Sequence, residues 1–270
     1  MRLIKMFLFL LPSVLAGAVS PMPVSKSTVL VCYGRLNPAD IKGYNYVILE
    51  SQFYNIYELR KIKSQNGKVL AYISIGEVNA NAPHYAKLKG LTVGKNEIWN
   101  SYYLDLDSEK TRKVLMDIIK SKIDMGYDGF FLDNVDHYTS FGVQPRQKAT
   151  LVAFLQEIFN TYPEQTFLQN AGLELVPDTA PYVDAVIIES IATDYTFADK
   201  KYKMRDQAQF DHYVVRLNEI RDRYKLPVIL IEYADTPALR DEVVKRIKPL
   251  KFEYFIGKID LQTIPDYHNK

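Results

Sequence analysis

Eight short apolar runs, set apart by longer stretches of helical period or by loops, put the strongest limit on what this chain can fold into. They are Val29 to Tyr33, Tyr46 to Glu50, Val69 to Ile75, Gly129 to Asn134, Thr166 to Asn170, Ala185 to Glu189, Val228 to Tyr233 and Glu253 to Gly257. Several are apolar at consecutive positions, as in Val186-Ile187-Ile188 and Val228-Ile229-Leu230-Ile231. Consecutive apolar residues suit strands buried on both faces, and strands alternating with helices suit a parallel sheet with crossover connections. Eight such strands close a cylinder, so the expectation is an α/β fold, a single (β/α)8 TIM barrel. The length of 270 residues suits one barrel and leaves little for a second domain.

The segments between the runs support that count. Leu151, Phe154, Leu155, Ile158 and Phe159 recur at the spacing of one helix face over about 146–161. Ser108 to Met125 repeats the spacing with Val114, Leu115, Ile118, Ile119 and Ile123, and Gly126 is placed to stop it. Thr236-Pro237 predicts a capped helix start, and Asn37-Pro38 predicts another after the first strand. Gly67 is expected to close the helix that carries Ile56, Leu59 and Ile62. A long insertion after strand 3, residues 78–107, contains Trp99 and an extra strand over Tyr102 to Leu106. Tyr195 to Asp206, rich in Lys and Asp, predicts a second long loop after the sixth strand. Loops this long at strand ends usually carry function.

Residues 1–20 join the positive charges of Arg2 and Lys5 to an apolar run and the small residues Ala16-Gly17-Ala18. This is the pattern of a signal peptide, leaving residues 21–270 as the mature domain in a secreted, periplasmic or cell-envelope setting. No further stretch is apolar enough to span a bilayer, so no integral membrane span is expected after leader removal. Arg2 and Lys5 also account for the formal charge of +2, which makes the mature domain neutral and argues against a nucleic-acid partner. Cys32 is the only cysteine, so no internal disulfide can form, and a monomer is expected.

In a parallel barrel the C-terminal ends of the strands hold the functional groups. Here those ends read Tyr33, Glu50, Ser74 to Glu77, Asp133 to Asp136, Gln169-Asn170, Glu189-Ser190 and Glu232 to Asp235. Glycosidic cleavage needs one carboxyl that is protonated and one that is ionised. Asp133 and Glu189 directly follow apolar strand residues on the fourth and sixth strands, and are the expected catalytic pair. Strands two apart end about 10 Å from each other, which lets the carboxyl groups converge. Glu77 and Asp136 are candidates to grip an amine or hydroxyls. Asn134, Asn170 and Gln169 are candidates to hydrogen-bond sugar hydroxyls, and Tyr33, Tyr72, Tyr138 and Tyr233 to stack on rings.

Tyr72-Ile73-Ser74-Ile75-Gly76-Glu77, the block from Gly126 to Asp136, Gln169-Asn170 and Glu189-Ser190 resemble the signature blocks of endo-α-1,4-polygalactosaminidase-like glycoside hydrolases. The likeness spans roughly residues 28–260. It implies a barrel, an extracellular or envelope setting and a galactosamine-containing exopolysaccharide as substrate. It also places the family's central Asp on Asp133 and its Glu after the sixth strand on Glu189.

Other chemistries find less support. Asp133, Asp136 and His137 invite a metal reading, but the four His never pair a helical turn apart, so no metal is expected. No Gly-rich phosphate loop occurs, so no cofactor is expected, and Ser51, Ser74 and Ser190 lack a nucleophile elbow. The expected function is therefore an endo-acting glycosidase with a polysaccharide or oligosaccharide substrate. A catalytically silent glycan-binding barrel of the cell envelope is the alternative.

Overall fold

The computed structural model describes residues 28–265; the leader read over residues 1–20 lies outside them. Its strands are β1 (Val29–Cys32), β2 (Tyr46–Leu49), β3 (Lys68–Ser74), β4 (Glu77–Asn79), β5 (Thr92–Asn96), β6 (Ser101–Leu104) and β7 (Gly129–Asp133). They continue with β8 (Thr166–Asn170), β9 (Ala185–Glu189), β10 (Thr193–Thr196), β11 (Lys201–Met204), β12 (Val228–Tyr233) and β13 (Glu253–Gly257). The helices are α1 (Ile56–Lys63), α2 (Tyr85–Leu88), α3 (Glu109–Met125), α4 (Lys148–Thr161), α5 (Val176–Thr179), α6 (Gln207–Tyr224) and α7 (Pro237–Ile247).

The eight apolar runs form one parallel sheet in the order β1-β2-β3-β7-β8-β9-β12-β13, the staves of a (β/α)8 barrel. At the seam between β13 and β1, Thr28 Oγ1 donates to the Glu253 carboxylate and Tyr33 N donates to Leu261 O at 2.7 Å. The core has two layers, because alternate strand residues point to opposite faces. Phe130 and Phe167 face outward, where Phe159 of α4 packs on Phe167 at 4.8 Å. Phe131 and Tyr72 face inward, 6.1 Å apart.

Asp residues just ahead of two strands fix the register of the barrel. Asp128 Oδ2 accepts from Val69 N at 2.8 Å while Lys63 holds its other oxygen at 2.8 Å, and Asp184 Oδ2 accepts from Phe167 N at 2.8 Å. Directly after Asp128, the first residue of β7, Gly129, takes a φ of +153°, and a Cβ there would sit 1.8 Å from Thr166 O. Gly129→Ala is expected to cost about 3 kcal/mol, since neither backbone can move without breaking the ladder that carries Asp133. That corresponds to a loss of roughly 6–12 °C in Tm, measurable by calorimetry. An unchanged Tm would show that β7 and β8 separate freely.

The expected helix starts and stops are met in α3, capped by Ser108 and stopped at Gly126, and in α7, where Leu239 N donates to Thr236 Oγ1 at 3.2 Å. Two expectations are corrected. Asn37-Pro38 begins only a turn, in which Ala39 N donates to Asn37 Oδ1 at 3.1 Å, and the chain crosses from β1 to β2 without a helix. Gly67 lies beyond the α1 cap at Ser64 and instead lets the chain pass Asn45, whose O would be 2.5 Å from a Cβ.

The insertion after β3 folds as a three-stranded antiparallel sheet, β4-β6-β5, with the expected extra strand at its centre. The stretch after β9 is not an open loop but a hairpin, β10-β11, paired from Thr193–Met204 to Thr196–Lys201. Between β8 and β9 the crossover shrinks to a 3-10 turn and the four-residue α5. No helix of the described residues is long and apolar enough to cross a membrane.

Candidate active site

Three neighbouring staves end in the same way. Asp133 closes β7, Asn170 closes β8 and Glu189 closes β9. The next residue on each, Asn134, Ala171 and Ser190, is left-handed, with φ of 59°, 56° and 56°. This conformation turns the backbone sharply off the sheet directly after the polar side chain. Ala171 N and Ser190 N are then tied to the neighbouring staves, at Ile187 O and Ile231 O, both at 2.8 Å. For residues other than glycine the left-handed region costs on the order of 1 kcal/mol each, strain that the surrounding barrel absorbs.

Asn170 joins the two acids. Its Nδ2 donates to Asp133 Oδ1 at 2.8 Å and to Glu189 Oε1 at 2.7 Å. Those two oxygens are therefore no further apart than the two hydrogen bonds laid end to end, about 5.5 Å, the separation at which one carboxyl can attack a carbon while the other protonates its leaving group. Each acid also has its own tyrosine. Tyr72 on β3 donates to Asp133 Oδ2 at 2.8 Å, and Tyr233 on β12 donates to Glu189 Oε2. Asn134 Nδ2 adds a bond to Asp133 Oδ2 at 3.2 Å, steadied by Ser74 Oγ at 2.9 Å.

Electrostatics make the two acids unequal. Burial, with the charge of Asp133 adding to it, pushes the Glu189 carboxyl up to about 7 against the donations of Tyr233 and Asn170. Burial raises Asp133 as well, but Asn170, Tyr72 and the backbone of Asn134 all favour its ionised form, while Asp136 opposes it. Burial and the neighbouring carboxylates hold the hydroxyls of Tyr33, Tyr72 and Tyr233 well above the ordinary phenol range, so all three remain neutral. The geometry can thus hold one proton on Glu189 and a negative charge on Asp133.

The structure brings together Asp133, Glu189, Asn134, Asn170, Tyr72, Tyr233 and Tyr33, the last packed 4.6 Å from the Tyr72 ring. Tyr72 and Tyr233 work through their hydroxyls rather than as flat platforms; Tyr233 is almost wholly buried. Asp136 is exposed nearby, where its charge raises both acids. Three expected residues leave the site. Tyr138 is fully buried and donates to Leu104 O at 3.1 Å, so no sugar ring can reach it. Glu77 is buried beneath the insertion, accepting from Asn96 at 2.9 Å and from Ser101, with His137 Nε2 at 3.2 Å. Gln169 faces outward, accepting from Thr179 Oγ1 at 2.7 Å and donating to Ala171 O and Gly172 O.

Glu232, which the sequence places at a strand end without a role, turns outward, and its buried carboxylate accepts from the backbone N of Ile191, Ala192 and Thr193 and from Thr193 Oγ1 at 2.6–3.0 Å. It fixes the segment that follows Glu189. Its place one residue before the inward-facing Tyr233 was the available signal, since alternation turns it outward.

A parallel eight-stranded barrel that presents two linked carboxyl groups at its C-terminal mouth has the architecture and the acid pair of a glycosidase. The model of glycoside-hydrolase family GH114 matches residues 45–270, and the chain belongs to that family. Among solved structures it is similar to the glycoside hydrolase domain of PelA from Pseudomonas aeruginosa. That match has 25% identity and a TM-score of 0.78, and covers 87% of this chain and 96% of the other. Aspergillus fumigatus Ega3, solved in complex with galactosamine, shares the fold at 17% identity and a TM-score of 0.70, covering 93% and 100% of the two chains. The α-galactosidase TtGalA from Thermus thermophilus shares it more distantly, at 12% identity and a TM-score of 0.57 over 86% of this chain and 57% of the other. No curated protein sequence matches the chain.

Proposed function

We propose that this glycosidase is a secreted enzyme that cleaves an α-linked, galactosamine-type polysaccharide with retention of anomeric configuration. The observation that carries the reading is the double hydrogen bond of Asn170, which holds one carboxyl oxygen of Asp133 and one of Glu189 within about 5.5 Å, the spacing of retaining enzymes. Inverting enzymes keep their carboxyl groups roughly 6.5–9.5 Å apart to admit that water.

In the first step Asp133 attacks the anomeric carbon while Glu189 gives its proton to the glycosidic oxygen. The carbon–oxygen bond breaks, the leaving chain departs as an alcohol and a glycosyl ester forms on Asp133. In the second step Glu189, now ionised, takes a proton from water as that water's oxygen attacks the same carbon. Asp133 leaves as a carboxylate, and the product keeps its configuration. Asn170 contacts both acids throughout and steadies each negative charge in turn. The acid-rich mouth, with Asp133, Asp136 and Glu189, suits a sugar that carries an ammonium group, in keeping with the galactosamine seen in Ega3.

The test is proton NMR of purified residues 21–270 acting on an α-1,4-galactosaminan. The first-formed reducing end is expected as the α anomer, with viscosity falling early, as internal cleavage requires. A β anomer at first appearance would exclude Asp133 as nucleophile. Absence of new reducing ends from galactosamine-, glucosamine- and galacturonic-acid-containing polymers alike would leave a barrel that only binds glycan. Recovery of the protein from culture medium beginning near residue 21 is the corresponding test of secretion.

A further inference from the structure

The two insertions on the barrel rim meet at their tips. Trp99 lies in the turn between β5 and β6, and Phe197 in the turn between β10 and β11. Their rings pack edge to face, with centroids 5.2 Å apart and planes at 89°. The feet of this arch stand on β3 and β9, and the staves between those feet are β7 and β8. The arch therefore brackets the strand ends that carry Asp133, Asn170 and Glu189.

The arch is held firmly, yet its rings are left open. Asn79 Nδ2 donates to Trp99 O at 2.8 Å, and Ile98 N donates to Asn96 Oδ1 at 3.2 Å. Asn96 in turn holds the buried Glu77. On the other side Phe197 packs on Tyr195 at 4.9 Å, Tyr195 packs on Tyr202 at 4.7 Å, and Tyr202 Oη accepts from Ile259 N beyond β13. Despite this bracing, Trp99 is 49% and Phe197 44% exposed. Two large rings fixed in place with much of their surface in water gain little for the fold from their position. They offer flat apolar faces whose negative quadrupole attracts a cation.

We propose that the Trp99–Phe197 arch is a remote subsite that holds a pyranose unit of the long polymer, outside the sugars at the two carboxylates, by stacking and by attraction to its ammonium group. This rests on the proposed galactosamine-polymer reading. A subsite outside the sugars at the two carboxylates contributes with long chains and not with short ones.

The test compares Trp99→Ala, Phe197→Ala and the conservative Trp99→Tyr with the unmodified protein on α-1,4-galactosaminan and on its trisaccharide. Circular dichroism melts check that each variant is folded. The expected result is a 5- to 20-fold rise in KM for polymer in both alanine variants, at least five times any change with trisaccharide, and substantial recovery in Trp99→Tyr. Equal losses on both substrates, or none on polymer, would overturn the subsite while leaving the glycosidase reading intact. If the unmodified protein neither binds nor cleaves galactosaminan, the galactosamine reading fails, and the arch as its subsite fails with it.

Discussion

Asn in place of Asp133 is expected to lower turnover by about four to six orders of magnitude while leaving the barrel folded. In the proposed mechanism an amide cannot attack the anomeric carbon, and Glu189 cannot replace the lost carboxylate because it serves the leaving oxygen. The fold tolerates the change for a local reason. The carbonyl oxygen of the new side chain can still accept from Asn170, and its NH2 can face Tyr72, whose hydroxyl is able to accept as well as donate, so that only the longer bond from Asn134 Nδ2 is lost. A buried negative charge also disappears, so Tm is expected to hold or to rise. Stopped assays over several days, read against the melting curve, decide the matter. A folded Asp133→Asn protein keeping more than about 1% of the original rate would remove Asp133 from the chemistry.

The barrel was legible because buried parallel strands need apolar residues on both faces. A run such as Val-Ile-Leu-Ile from Val228 to Ile231 has no other comfortable place. The pairing of Asp133 with Glu189 was legible for a related reason: a carboxyl placed directly after such a run must emerge at the mouth. Proximity in sequence to that mouth misled elsewhere. Tyr138 and Glu77 follow strand ends by a few residues, yet they serve the seam between the insertion and the loop after β7, where Leu104, Ser101 and His137 take up their polar atoms. Gln169 is displaced by parity alone, since its neighbour Asn170 takes the inward position.

The hairpin of β10 and β11 escaped notice because Thr-Asp-Tyr-Thr and Lys-Tyr-Lys-Met are solvated on one face and carry no apolar run. Its pairing depends on partners five to eleven residues away and not on burial. The left-handed residues after the three staves leave no trace in Asn134, Ala171 or Ser190 as residue types. Only Asn favours that region, and Ala and Ser adopt it because the neighbouring strands impose it.

Glu189→Gln is expected to reverse part of the pH dependence of both rate and stability. In the unmodified enzyme the Glu189 carboxyl holds its proton up to about pH 7, so with Glu189 as the proposed acid kcat/KM is expected to fall roughly tenfold per pH unit above that point. With an aryl glycoside whose leaving group needs no proton, the Gln variant retains its first step, and that alkaline fall is lost. Stability follows from the same proton. The folded carboxyl binds it up to about pH 7, whereas an unfolded glutamate releases it near 4.3, so folding takes up a proton between those values. The contribution of Glu189 to stability is therefore complete below about pH 4.3 and is lost as pH rises through about 7. Glu232, likewise pushed up to about 7 by burial, titrates over the same range, but it is present in both proteins and cancels in the comparison. Asp133 does not cancel. With its charged neighbour gone it ionises more easily, which adds to the advantage of the variant at high pH. Calorimetry from pH 5 to pH 8 should show the Tm of the Gln variant, relative to the unmodified enzyme, climbing by roughly 4–8 °C. This corresponds to about 2 kcal/mol once the water at the mouth is allowed for. A constant offset, or a gain that shrinks toward pH 8, would mean that Glu189 is ionised throughout and cannot serve as the acid.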